Sequence, residues 1–369
     1  MSDLSQEPTS IKNEMACKSC GALLTFKPGT LKLVCQYCHA ENDIVQSAQT
    51  EIRENNLEEF LAKHADEKEK VTITTIKCET CGATSTVNPA LASDKCPFCA
   101  TTFVLKNGSS SSIYKPQYLL PFGIDDKNAK ARFKTWLKKL WFAPIELAGY
   151  ADRADRLNGM YLPFWTFDCD TESHYQGERG IDTTRTSTRT NSKGQQEQHS
   201  VTDTNWHSVS GNVSNTFDDL LIEASKSLPK KILRELEPWD LKNVVAYNDQ
   251  YLSGFRTETY QIDLPTAYQE GKLQMESDIT ASIHQHIGGD HQRIDSVDTI
   301  YRNPKFKYIL LPVWISAYRY KDKLYQFIIN ARTGEVQGER PYSKGKIALA
   351  IIGGIILAIV LYFAFGKNS

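Results

Sequence analysis

Eight of the nine cysteines lie in the first hundred residues, where they form two copies of one pattern. Each copy consists of two C-x2-C pairs separated by fourteen residues, and each cysteine of the second copy lies 61 residues after its counterpart. The first copy contains Cys17, Cys20, Cys35 and Cys38, and the second contains Cys78, Cys81, Cys96 and Cys99. Gly-Ala follows the second cysteine of both copies, so the segment is an internal repeat.

The spacing of these cysteines predicts two zinc ribbons. A two-residue gap lets both thiolates of one turn face a common centre about 2.3 Å from each sulfur, and two such turns complete a tetrahedron. A ribbon of roughly 25 residues is too small to fold by burying apolar surface alone. We therefore expect one structural zinc ion in each ribbon, two in all, to stabilise them. Four sulfurs leave no coordination position open for catalysis. An iron–sulfur or redox role is the alternative, and His39 is interpreted as a neighbour of the site rather than a ligand.

Residues 347–365 form an uncharged apolar run. As a helix the run is roughly 28 Å long, close to the hydrocarbon thickness of a bilayer, and it lacks the polar stripe of a core helix. We therefore predict a transmembrane helix. The N-terminus lacks the basic start and apolar stretch of a secretory signal, so we expect a tail-anchored protein.

The charges beside this run predict its orientation. Three basic residues precede the run and one follows it: Arg340, Lys344 and Lys346, then Lys367. This asymmetry predicts that the bulk of the chain lies in the cytosol and that the helix spans the inner (cytoplasmic) membrane. A reducing compartment favours metal binding over disulfides. Small residues every fourth position, Ala350, Gly354 and Ala358, are compatible with self-association into a homo-oligomer.

Length and composition predict an α+β protein with several units. The net charge of −1 and 24% charged residues are not typical of a basic nucleic-acid binder or an acidic tail. The expected units are a flexible N-terminus (1–14), zinc ribbon 1 (15–45), a connecting helix (46–70), zinc ribbon 2 (71–106), a flexible linker (107–112), an α+β domain (113–345) and the transmembrane helix (347–365).

Within the α+β domain, Asp125 or Asp126 is expected to cap a helix that ends near Phe142, and a second helix is expected from Pro265 to Gly288. Strands are expected at the two Leu-Pro-x-Trp motifs, 162–165 and 311–314, and in the residues that follow the second motif. Because a helix precedes each motif, the sequence suggests an internal duplication. Residues 176–205 are expected to form a long loop, and residues 217–236 a helix interrupted at Pro229.

We find no catalytic constellation in the sequence and expect no enzyme. The run of His284, His286, Asp290 and His291 has the wrong spacing for a metallo-β-lactamase-type site, and phosphate-loop, dinucleotide and nucleophile-elbow motifs are missing. The carboxylates beside Cys169 would raise the pKa of its thiol rather than activate it.

The tandem CxxCGA…CxxC units, LPFWTFD, YLSGF, LLPVW and INARTGEVQGERP, placed before a terminal apolar helix, resemble bacterial TFIIB-type zinc-ribbon membrane proteins. Relatives of that family are often labelled primosomal protein N′ or replication-restart helicase, but the phosphate-binding loop of a helicase is missing here. The resemblance implies a membrane-anchored adaptor, associated in some relatives with flotillin-like SPFH proteins and PspA-like envelope-stress proteins.

Two hypotheses about function follow. In the first, the protein is a membrane-anchored adaptor that binds other proteins through its ribbons and α+β domain. In the second, the ribbons bind nucleic acid. A zinc ion held by four thiolates has a formal charge of −2 and offsets much of the charge of Lys18, Lys27 and Lys32, whereas phosphate binding draws on denser basic patches. This comparison favours the adaptor.

Overall fold

The computed structural model describes residues 15–44, 52–62, 70–86, 93–99, 101–104, 109–144, 157–190, 196–321 and 323–365. The predicted flexible N-terminus lies outside the described residues. The helices are α1 (Leu57–Ala62), α2 (Asp126–Lys139), α3 (Lys230–Arg234), α4 (Leu264–Ile287) and α5 (Lys344–Phe365), with 3-10 turns at Leu241–Asn243 and Asp249–Leu252.

The strands near the N-terminus are β1 (Leu24–Lys27), β2 (Lys32–Cys35), β3 (Glu41–Asp43), β4 (Asn55–Asn56), β5 (Lys70–Lys77), β6 (Thr84–Thr86), β7 (Ser93–Lys95), β8 (Thr102–Val104) and β9 (Ser109–Tyr114). The later strands are β10 (Tyr118–Leu119), β11 (Asn158–Thr190), β12 (Gln196–Glu223), β13 (Val245–Ala246), β14 (Arg256–Thr257), β15 (His291–Tyr320), β16 (Lys323–Asn330) and β17 (Val336–Gly338). The chain is thus α+β, with sheet predominating.

One mixed sheet organises the chain, with its central path in the order β12-β11-β15-β10-β13. Strand β16 extends it beside β15, and β17 lies beside β16. Strand β11 has 33 residues, about 110 Å if straight at about 3.3 Å per residue, and it is antiparallel to both β12 and β15. Most strands have only about five or six residues, so this three-stranded segment is unusually long.

The two faces of the sheet carry separate hydrophobic cores. Because side chains alternate along a strand, Tyr161 and Trp165 of β11 contribute to one core, while Leu162 and Phe164 contribute to the other. We call the first face A and the second face B. Helices α2 and α4 pack on face A, and α3 packs on face B.

The two long helices of the α+β domain confirm the sequence expectations. The side chain of Asp125 caps α2 by accepting the N–H of Asn128 at 2.8 Å, and Phe133 stacks on Phe327 of β16 with ring centroids 3.6 Å apart. Asp263 caps α4 in the same way, and Gly288 ends it with a φ of 65°. The buried face of α4 includes the predicted residues Met275, Ile279, Ile283 and Ile287.

The prediction of a long loop at 176–205 is wrong, because β11 continues to Thr190 and β12 begins at Gln196. Beyond Gly180, which pairs with His291, the described part of β11 pairs only with β12, as a two-stranded arm. The arm is exposed on both sides, so its strands need no apolar alternation and resemble a loop in sequence. Backbone pairing and polar cross-strand contacts hold it together, including Thr204 Oγ1 to Asp182 Oδ1 at 2.7 Å.

Three further expectations need correction. Ser109–Tyr114, part of which was expected to be linker, forms β9 and pairs with β5, because its backbone completes the edge of that strand. In the described part of the connecting segment, 52–62 and Lys70, only Leu57–Ala62 is helical, and Lys70 begins β5. Residues up to Glu223 belong to β12 rather than to a helix, since Ile222 pairs with Trp165, and the short α3 begins only after Pro229.

Helix α5 leaves the described part of its apolar run largely exposed from Leu349 onward. From Leu349 to Phe363 its large apolar side chains are about half exposed or more, as Leu349 and Phe363 show at 70% and 67%. It is the one helix in the described part of the chain that is long and apolar enough to cross a membrane.

Candidate metal centres

The eight predicted cysteines come together as two separate groups of four. In ribbon 1 the closest sulfur pairs, Cys17 with Cys38 and Cys20 with Cys35, are each 3.5 Å apart. The corresponding pairs in ribbon 2 are 3.6 Å apart, and all four sulfurs of each group lie within 4.8 Å of one another. A tetrahedral ion with metal–sulfur bonds of about 2.3 Å needs sulfurs about 3.8 Å apart, so both groups are suited to hold a metal ion.

Backbone N–H groups lower the thiol pKa of a cysteine in each ribbon, whereas burial raises the pKa of Cys81, a ligand in the same group as Cys78. Chiefly because the backbone N–H of Ser19 donates to its sulfur, the pKa of the Cys17 thiol is lowered to about 6. Burial raises the pKa of the Cys78 thiol, but N–H groups of Cys81 and Thr80 outweigh that effect and lower it to about 7. Metal ligands must be thiolates, so these N–H donors favour the state that binds metal.

A left-handed residue follows the second cysteine of each described turn of this kind. Gly21 and Gly82 have φ of 75° and 74°, which explains why glycine follows Cys20 and Cys81. In the second turn of ribbon 1 this position is His39, with a φ of 58°. His39 therefore completes the turn, and it lies outside the group of four sulfurs.

Ribbon 1, consisting of β1, β2 and β3, is built into face A. The backbone N–H of Phe26 donates to the carbonyl of Ser253 at 2.9 Å, and the Phe26 ring meets Tyr251 with centroids 5.2 Å apart. Gly29, at a φ of 76°, donates to the carbonyl of Phe122 at 2.8 Å. The YLSGF motif, 251–255, thus serves as the dock for the first ribbon.

Ribbon 2 joins face B. Phe98, between Cys96 and Cys99, is fully buried in the core that contains Met160 and Leu162, and its carbonyl accepts the Gln326 side-chain amide at 2.8 Å. The two ribbons therefore clamp opposite faces of one sheet. Sequence reasoning missed a polar neighbour of this centre, Thr101, whose Oγ1 lies 3.2 Å from the Cys99 sulfur.

A third group of carboxylates, Glu54, Asp168 and Asp218, converges beside the sheet, and two of its members, Glu54 and Asp168, already pair with a lysine. The buried Lys307 ammonium lies 2.6 Å from Asp219, 3.2 Å from Glu54 and 3.5 Å from Asp168. Burial raises the pKa of the Asp168 carboxyl to about 6. We interpret the group as an ion-pair network that fastens the segment between the ribbons to β15.

The histidine run does not form a site among the described residues. His286 Nδ1 contacts the Tyr175 hydroxyl at 2.9 Å, and His291 Nε2 contacts Asp182 at 3.1 Å. The Cys169 thiol is buried between strands, and burial followed by the Asp170 charge raises its pKa. It lies in neither sulfur group.

Comparison with known proteins finds a relative of this chain. The chain is 28% identical over 252 residues to the uncharacterized protein YdjG of Bacillus subtilis (strain 168). The aligned region covers 67% of this chain and 70% of that protein. No family model matches the chain. No solved structure matches it either.

Proposed function

We propose that this protein is a membrane-anchored adaptor whose zinc ribbons face the cytosol and bind other proteins. The resemblance noted from its sequence motifs suggests SPFH or flotillin-like and PspA-like envelope-stress proteins as partners. The observation that carries the proposal is the pair of four-sulfur groups on a sheet that also bears an exposed apolar helix.

Zinc is the metal we assign to both groups. Four thiolates at near-tetrahedral spacing suit zinc and leave no position for water or substrate. Because each group joins a core of the sheet, the metal would stabilise the dock as well as the ribbon. The role we propose is therefore architectural.

Ribbon 1 offers an apolar surface that supports protein recognition. Tyr37, in the turn between Cys35 and Cys38, is 81% exposed, and Leu23 and Leu31 of the same ribbon are 71% and 49% exposed. Aromatic residues such as tyrosine are enriched at protein interfaces, so the exposed Tyr37 is the residue of this surface best suited to contact a partner.

The nucleic-acid alternative draws less support from the charges of ribbon 1. Lys27 and Lys32 both pair with Glu41, at 2.5 and 2.8 Å, so their charges are already partly neutralised. Their pairing lowers the pKa of the Glu41 carboxyl to about 2, chiefly through the hydrogen bond from Lys27. Phosphate binding would need these lysines to leave that carboxylate.

The proposal of an anchor rests on α5 and the basic residues before it. Deleting residues 347–369 should release the protein from membranes, and the ribbon cysteines should resist a membrane-impermeant thiol reagent in intact cells even after chelation. Labelling of those cysteines from outside would contradict the cytosolic orientation.

The experiment that separates the two functions compares the full chain with the anchor deletion. The full chain should capture a membrane protein, and the deletion should bind that protein without localising it to the membrane. If the purified chain instead shifts DNA or RNA at physiological salt and captures no protein, the adaptor proposal is wrong.

A further inference from the structure

The segment after α2 is fastened to the start of α5. The backbone N–H of Ser343 donates to the carbonyl of Phe142 at 2.7 Å, and Lys346 Nζ donates to the carbonyl of Ala143 at 2.8 Å. These two bonds hold Trp141 and Phe142 at the level where the apolar helix begins.

The side chains at this level are those that favour a membrane interface. Trp141 is 78% exposed, Phe142 40% and Tyr342 59%, so three aromatic rings lie on the surface around one end of α5. Tryptophan and tyrosine concentrate at the headgroup level of bilayers, because their rings are apolar with one polar edge. In a water-soluble protein, by contrast, tryptophan side chains are on average highly buried.

Beside these rings lies a cleft of about 680 Å³. The hairpin turn between β15 and β16 contributes Lys321 and Lys323, and the start of α5 contributes Lys344 and Lys346. Leu349, in the second turn of α5, continues the wall of the cleft toward the apolar part of the helix. None of the described residues that line it carries a carboxylate.

We propose that this cleft binds the headgroup of an anionic phospholipid, with the acyl chains lying along α5 and the Trp141–Phe142 edge immersed in the interface. The inference rests on the proposed anchor, since α5 must span the bilayer to bring the cleft to the headgroups. The lysines supply the charge that a lipid phosphate requires, and Leu349 continues as apolar surface where the chains begin. Each lysine near an anionic membrane surface strengthens binding to that surface about five-fold.

The test uses the full chain reconstituted in phosphatidylcholine vesicles that contain a small, fixed fraction of phosphatidylglycerol. In one sample the phosphatidylglycerol carries bromine on its acyl chains, and in the other an equal fraction of the phosphatidylcholine does. Bromine quenches a nearby tryptophan, so the difference between the samples measures lipid preference beside Trp141. We expect stronger quenching by brominated phosphatidylglycerol, and loss of most of this quenching in Trp141→Phe.

The charge variant Lys321→Gln/Lys323→Gln should reduce the preference for phosphatidylglycerol at least five-fold. These lysines lie on a surface turn, so the variant should fold and insert. Its matched control, Lys127→Gln/Lys242→Gln, removes two exposed lysines outside the cleft and should keep the preference. Equal quenching by the two lipids, quenching unchanged in Trp141→Phe, or equal losses in both lysine variants would overturn the proposal.

Alkaline carbonate extraction of the same vesicles separates this failure from failure of the anchor. A chain that resists extraction but shows no lipid preference contradicts the headgroup site alone. A chain that is extracted contradicts the spanning helix, and with it the headgroup site.

Discussion

The backbone N–H of Phe26, in the first ribbon, donates a hydrogen bond of 2.9 Å to the carbonyl of Ser253, in the sheet domain. The Phe26 side chain is 3% exposed and lies against Tyr251 and Phe255. Ribbon 1 is therefore part of the fold of the α+β domain, and the stability of the two should be coupled.

Truncating this contact should destabilise the α+β domain as well as the ribbon. Phe26→Ala should cost about 3–5 kcal/mol, because it leaves a cavity against the dock. All six tryptophans lie outside the ribbons, so a lower urea midpoint by tryptophan fluorescence would report the α+β domain. Leu23→Ala, at a side chain 71% exposed on the same ribbon, should cost less than about 0.5 kcal/mol. An unchanged tryptophan transition in Phe26→Ala would show that the ribbon only rests on the sheet.

The metal account predicts two zinc ions per chain. Cys35→Ser/Cys38→Ser and Cys78→Ser/Cys81→Ser should each remove one, because two thiolates cannot hold the ion as four do. Cys169→Ser, outside both groups, should leave two. Elemental analysis of the purified chain measures the stoichiometry, and iron with acid-labile sulfide would show that the centres are of another kind.

The ion-pair network predicts unequal effects from two neighbouring lysines. Lys307→Met should destabilise the protein by about 3 kcal/mol, since it removes a buried cation and leaves the partly buried carboxylates of Asp168 and Asp219 without their partner. Lys305, which is half exposed and pairs with Glu54, serves as the control, and Lys305→Met should cost about 1 kcal/mol or less. Equal losses in denaturant unfolding would contradict the network.

The buried carboxyl of Glu258 predicts that replacing it with an amide stabilises the protein by an amount that depends on pH. Glu258 is 0% exposed, and burial raises its pKa to about 7, whereas an unfolded chain ionises a glutamate at about 4.3. The stability that its protonated form provides is fully present below about pH 4.3 and lost as pH rises through about 7. Glu258→Gln mimics the protonated form and should therefore stabilise the protein by about 2–3 kcal/mol at about pH 8.

The gain from Glu258→Gln should shrink as the pH falls toward about 5, where the carboxyl of the folded wild type is already protonated. Glu276→Gln, at an exposed position on α4, should show no such trend. Thermal unfolding at several pH values would reveal the difference, and a gain that does not vary with pH would rule out this titration as its cause.

The features that could be predicted from sequence are local. The ligands of each metal centre lie within 21 residues of one another, and the apolar run is continuous. The Leu-Pro-x-Trp motifs also marked real strands, and Leu162 and Leu311 are register partners where β11 meets β15. Short-range spacing and periodicity are sufficient for such features.

The features that were missed depend on long-range pairing. Lys307 and Glu54 are 253 residues apart, so no local pattern announces their ion pair. The two strands of the arm beyond Gly180 are polar and lack apolar alternation, so they are recognised as strands only from their pairing with each other. The dock of ribbon 1 required knowing that Phe26 meets Ser253, and neither residue suggests the other in sequence.

Photocrosslinking from ribbon 1 tests the adaptor claim most directly. A photoreactive phenylalanine analogue replaces Tyr37, which is 81% exposed, in the full anchored chain, and a control carries it at Leu273, which is 66% exposed on α4. Irradiated membranes should give a discrete protein adduct from position 37 that is weak or missing from position 273 and is lost in Cys35→Ser/Cys38→Ser. Adducts to nucleic acid alone, or no protein adduct specific to position 37, would contradict the account.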